Sequence, residues 1–177
     1  MRLAALCLAL MPTIGAAAGS DTPIGKPKTT PTTQTCKGIQ VWDPSTQKCV
    51  NPQGSSLDQE RLGDAVRELA YAGRNADAQG VLQAMADQDS DLVLTYWGFT
   101  HRRLGNMDQA MMFYDRALDK NPDNLLARSY LGQAYVEGGD SRQAKAQLDE
   151  IRARGGQGSW PEQSLSRAIE SGKTYDY

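Results

Sequence analysis

Residues 91–124 read DLVLTYWGFTHRRLGNMDQAMMFYDRALDKNPDN, and the spacing inside them decides the fold. Gly98 lies within an apolar helical run, where a bare hydrogen leaves room for a second helix to touch. Gly105 ends that run, because a left-handed residue suits the last turn of a helix. Asn106 follows as an N-cap for the next helix. Ala110 keeps the two helices close, and Tyr114 and Ala117 continue its apolar face. Pro122, after Asn121, turns the chain onward. The stretch predicts one antiparallel helix pair.

Working outward, the same pattern returns. Leu94-Thr-Tyr-Trp-Gly98 is followed at a spacing of 34 by Arg128-Ser-Tyr-Leu-Gly132. Arg103 to Ala110 is matched at that spacing by Glu137 to Ala144, Tyr114 by Leu148, and Ala117 by Ile151. An earlier copy lies 32 residues upstream, with Gly73 for Gly105, Ala78 for Ala110, Leu82 for Tyr114 and Met85 for Ala117. Asn75, Asn106 and Asp140 are the expected N-caps of the second helices. A correlated series across three units is the mark of a stacked repeat. Ser159-Trp-Pro-Glu162 reads as a capping box opening a helix over 161–171, which ends before Gly172. Trp160, Leu165 and Ile169 are then placed to cover the open face of the last repeat.

Asp91–Asn124 resembles a tetratricopeptide repeat: Gly98, Gly105, Ala110, Tyr114, Ala117 and Pro122 stand at that family's signature positions. Trp97 fills a position the family usually gives to leucine, Leu94 replaces the customary aromatic, and His101 replaces a tyrosine. Leu125–Arg154 is a second match, through Leu131, Gly132, Tyr135, Gly139, Asp140 and Ala144; Leu57–Ser90 is a degenerate first copy without the proline. The resemblance implies an all-α, antiparallel helix-pair solenoid of about three repeats plus a C-terminal capping helix. This domain spans 57–172 and is followed by a tail, 173–177. It also implies a protein or extended peptide ligand in the concave groove lined by the first helices. Carried over residue by residue, the groove positions are Glu60, Gly63, Arg67 and Tyr71, then Leu92, Thr95, Phe99, Arg102 and Arg103, then Leu126, Ser129, Gln133 and Glu137. The expected binding set is Arg67, Thr95, Phe99, Arg102, Arg103, Ser129 and Gln133, with Phe99 an exposed apolar spot inside a cationic rim able to grip carboxylates. The lysine and asparagine set of the family's carboxylate clamp is absent, so a chaperone-tail ligand is not expected.

The first 56 residues differ in composition. Leu3–Met11 is a nine-residue apolar run behind Arg2, and Ala16 and Ala18 form an A-x-A cleavage site. The run is far short of the ~20 residues needed to cross a bilayer. Met1–Ala18 is therefore read as a secretory leader, which makes the protein exported and, in a bacterium, periplasmic. Removing Arg2 leaves 18 basic and 21 acidic residues, a net of −3. Residues 19–35 are dominated by Thr, Pro, Lys and Gly and are expected to be a mobile, extended linker.

Cys36 and Cys49 are the two cysteines left after cleavage and should pair in an exported chain. Asp43-Pro44-Ser45-Thr46 between them is a turn, which gives a stapled hairpin over 36–50 and a short linker over 51–56. The pattern C-x-x-G-x-x-W-D-x-x-x-x-x-C resembles small cysteine loops near the N-termini of bacterial envelope proteins. Trp42 is either packed with Val41 as the hairpin's own core or offered as a stacking platform for a glycan or peptide.

Catalytic chemistry has little to work with. His101 is the sole histidine and sits where a repeat helix wants a packing aromatic. Asp115, Asp119 and Glu150 lie on helix faces where solvated charge is the default. No phosphate loop or metal-ligand spacing occurs, so no cofactor and no metal are expected, and the pI near 5.4 gives no nucleic-acid surface. The expectation is a non-enzymatic, not membrane-spanning adaptor. The alternatives are wall binding through Trp42 with the repeats as spacer, catalysis at His101, and self-association of the stack.

Overall fold

The computed structural model describes residues 27–174. The expected leader and the first part of the linker lie outside the described residues. Three helix pairs follow one another: α2 (Gln59–Tyr71) with α3 (Asn75–Leu82), α4 (Asp91–Arg103) with α5 (Met107–Lys120), and α6 (Leu125–Glu137) with α7 (Ser141–Ala153). Ahead of them come α1 (Pro31–Gln34), β1 (Val41–Asp43) and β2 (Lys48–Val50); behind them comes α8 (Trp160–Ser171). The architecture is an all-α solenoid of antiparallel pairs with one small two-stranded sheet.

Helix boundaries follow local chemistry. Asp58, Ser90, Asn124 and Ser159 each accept a bond from the first-turn backbone, which satisfies one of the helix's orphan N–H donors. Gly73, Gly105 and Gly139 turn the chain between paired helices with φ of 77°, 84° and 78°. The expected second-helix caps are realised unevenly. Asp140 accepts from Gln143 N at 3.0 Å, and Asn106 stands at the cap without such a bond. Asn75 is already inside α3, and Arg74 holds the cap position instead. The reason is tertiary: Arg74 spends its guanidinium on the residues ahead of α2.

Helices α2, α4, α6 and α8 lie side by side, so the capping helix takes the place of a fourth first-helix. A Cβ on Gly132 would come within 2.5 Å of the Leu165 side chain, so this glycine sets how close α8 sits. Leu165 is fully buried with Leu148 and Ile151, as the covering role of α8 requires.

From residue 27 on, the segment before α2 is not the mobile linker and tethered hairpin expected from composition. Cys36 and Cys49 form the disulfide, and Val41 opposes Val50 in the antiparallel ladder. Strand alternation then sends Val41 into the same core as Leu62, Val66 and Leu69, leaving Trp42 on the other face. Val41 and Trp42 therefore do not form a core of their own. Ile39 meets α3 at Gly80, where a Cβ would stand 2.2 Å from the isoleucine methyl. Arg74 donates to the carbonyls of Thr32, Cys36 and Gly38 at 3.2, 3.1 and 2.7 Å.

Residues 30–33 are fixed by Glu68 of α2. Glu68 is 6% exposed, and its carboxylate accepts from Thr30 N (2.7 Å), Thr30 Oγ1 (2.6 Å), Thr33 N (3.2 Å) and Thr33 Oγ1. A carboxylate so enclosed needs its lone pairs filled, and the tail fills them. Polar satisfaction, invisible to a hydrophobicity pattern, orders this end of the linker.

Candidate functional site

The expected groove residues are mostly interior. Tyr71, Phe99 and Tyr130 come from α2, α4 and α6 and meet as a floor: Phe99 stacks on Tyr71 at 5.8 Å and tilts against Tyr130 at 4.8 Å. Tyr71 and Tyr130 share a hydroxyl hydrogen bond of 2.6 Å, and Trp160 of α8 packs against both rings. Phe99 is 2% exposed, so it is not the surface anchor expected of it. The first helices crowd together along the stack, and an aromatic on their facing sides is swallowed by its neighbours.

The polar positions follow the same rule. Arg102, 4% exposed, donates to Glu137 at 2.7 Å and to Gln133 at 3.4 Å. Gln133 in turn donates to Ser164, and Ser129 donates to the carbonyl of Pro161. Both are thus seams between α6 and α8. Thr95 is buried and bonded to Asp91 O and to Asn124. Arg67 is buried and approaches the Tyr71 ring at 5.8 Å. Arg103 alone of the expected set is exposed. The structure does bring Arg67, Phe99, Arg102, Ser129 and Gln133 onto one side of the stack, but as its packing; Arg103 is left at the rim.

A second concavity was not foreseen. The docked tail and α2 enclose a cleft of about 320 Å³, walled by Trp42, Pro31 and Pro44 on one side and by Arg61 and Asp64 on the other. Trp42 is half-buried there, with its backbone N–H donated to Thr32 Oγ1 at 3.1 Å. Nothing in the sequence marks Arg61 or Asp64, because the cleft exists only once residues 30–33 have docked. The turn beside it is rigid: Asp43 accepts from Ser45 N, Ser45 Oγ and Thr46 Oγ1 at 2.8, 2.6 and 2.8 Å. These bonds, that of the Ser45 side chain foremost, hold its carboxyl below the ordinary aspartate range.

His101 is a member of a ring stack, at 5.7 Å from Trp97 and 5.4 Å from Phe113. Burial lowers its pKa, and its buried Nδ1 has no hydrogen-bond partner among the described residues. It fills the packing position that the repeat pattern assigned to it. No described helix is long and apolar enough to cross a membrane.

The fold and its seams define a helical-repeat protein of the helix-pair class. Residues 101–162, from the last turn of α4 to the first turn of α8, match the family profile described as tetratricopeptide repeat. Repeats of that family generally mediate protein–protein interaction, which supports an adaptor or scaffold role. Comparisons with curated proteins and with solved structures give no match.

Proposed function

We propose that this protein is an exported adaptor of the bacterial cell envelope, working in the periplasm, that holds a protein or extended peptide partner at the rim of its concave face. The observation that carries the reading is exposed Arg103 beside the closed aromatic floor. Arg102 and Arg103 follow Phe99 by one helical turn, and exposed Arg103 lies next to the Arg102–Glu137 pair. With the floor locked and Arg102 committed to Glu137, a partner is gripped through its acidic side chains at Arg103 rather than by an aromatic pocket. A rigid floor also spares the ordering cost that a flexible groove would add on binding.

Crosslinking the mature protein in envelope extract, beside an Arg103→Glu variant, tests this. The partner should be captured by the first and lost by the second. Arg103 is the residue of choice because Phe99→Ala or Arg102→Glu would disrupt buried packing. Identical capture by both baits would sink the rim reading.

A second reading, contact with wall glycan through Trp42, is favoured by the half-exposed indole on the cleft wall. Co-sedimentation with purified wall sacculi should fall sharply in Trp42→Ala, and undiminished sedimentation would remove this reading.

A further inference from the structure

We propose that the cleft between the docked tail and α2 is a saccharide site for a pyranose bearing a carboxylate. The proposal rests on the Trp42 reading and alters it, because the first repeat supplies half the site and is not a spacer. Arg61 and Asp64 lie one turn apart on α2, both exposed and both facing the cleft. Neither side chain makes a hydrogen bond or ion pair among the described residues, and the same holds for Lys28 at the rim. Glu68, the other acid on this wall, is saturated by the threonines. The charged groups lining the cleft are Lys28, Arg61 and Arg67 against Asp64 and Glu68, an excess of one positive, and Lys28, Arg61 and Asp64 are the exposed ones.

Size and hydrogen bonding narrow the ligand further. A volume of about 320 Å³ is at the small end of ligand sites, which run from roughly 300 to 1,000 Å³. That admits a sugar ring or two, not a folded partner. Two main-chain donors along the tail wall are already used: Thr30 N by Glu68 and Trp42 N by Thr32. An extended peptide recognised through its backbone would find those donors occupied. What remains is side-chain recognition: an indole face, a planar cation and a carboxylate. A pyranose lays its C–H face on the ring, donates hydroxyls to Asp64, and offers a carboxylate to the Arg61 fork. The walls are set in advance by the disulfide and by Glu68, so little ordering is lost on binding.

The test is an NMR titration of the ¹⁵N-labelled mature chain, read at the indole N–H signals of Trp42, Trp97 and Trp160. The probes are N-acetylmuramic acid and N-acetylglucosamine, which differ by a carboxylate-bearing ether. The Trp42 signal, assigned by its loss in Trp42→Phe, should move alone, with the acidic sugar bound about tenfold more tightly, as one charge-assisted contact gives. Arg61→Glu, on an exposed helix face that leaves the tail docked, should erase that preference. Soluble glycan-strand fragments separate the sources: tighter binding than the monosaccharide indicates wall polymer, equal binding a free sugar acid. The proposal is overturned if neither sugar moves Trp42, if Trp97 and Trp160 move equally, or if Arg61→Glu leaves the preference intact. Retained sacculus binding alongside a failed sugar titration would overturn this site while sparing the Trp42 reading.

Discussion

At the amino-terminal end, α2 and α3 are covered by a segment with almost nothing to bury; at the carboxyl-terminal end, α6 and α7 are covered by an amphipathic helix. The first cover uses two apolar side chains, Val41 in the core and Ile39 against Gly80, and otherwise a disulfide, a four-fold bonded Glu68 and an arginine on three carbonyls. The second uses Leu165 and Ala168, fully buried, and Trp160 against the aromatic floor. A solenoid end must not be left apolar and open, yet area is not the sole means of closing it. Where area is scarce, a staple that restricts the unfolded chain and charge-assisted bonds that need geometry do the work. The polar cover leaves a cleft and spare charges behind it, while the apolar cover leaves a sealed seam.

Replacing Leu165 by alanine should cost about 2–5 kcal/mol in denaturant unfolding, the range for a buried leucine beside a tight neighbour. A loss under ~1 kcal/mol would mean that burial does not hold the carboxyl-terminal end. Cys36→Ser with Cys49→Ser should cost about 3 kcal/mol from the freed loop. The faster amide exchange should be confined to α1, β1 and β2, with α6 to α8 unchanged; exchange spreading to α8 would show that the ends are coupled. Glu68→Gln keeps the shape but removes the charge, and about 1.5–3 kcal/mol should go with its hydrogen bonds. Amide exchange at Thr30 and Thr33 reads it directly, and unaltered protection there would break the account of the tail.

The smallest effect is with acid. Asp43 and Glu162 both have lowered carboxyl pKa values, the first through Ser45 and Thr46, the second through Arg152 and then Gly158 N. A depressed folded pKa means stability present above the unfolded value of roughly 4 and lost as pH falls through the folded one. Asp43 is 4% exposed and Glu162 partly buried, and each shift comes from a few local hydrogen bonds, so the loss should be slight, and Asp43→Asn should remove it at the hairpin alone. An unchanged acid limb in that variant would contradict the assignment.

Much of the repeat body was legible. Gly105 and Gly139 mark helix stops because a positive φ is costly for other residues, and Gly132 marks a contact because its neighbour leaves no room for a Cβ. Ser159, Glu162 and Gly172 delimit α8 through short-range bonds, although the Glu162 carboxylate turns to Gly158 N and Arg152 rather than to Ser159 N. The binding set was less legible. A family register fixes which side of a helix a residue lies on, but not how far the neighbouring helix advances over it. Phe99 passed from expected anchor to core on that distance.

Local periodicity, glycine placement and capping residues by themselves determined that this chain forms stacked helix pairs closed by a final helix, since those signals act within a few residues. The tertiary structure alone decided that residues 30–33 are ordered, that Val41 points inward while Trp42 looks out, and that Arg61 and Asp64 share a cleft with that indole. Each depends on groups tens of residues away, Leu62, Glu68 or Arg74 among them, meeting the tail in space. Such pairings leave no periodic trace in the sequence.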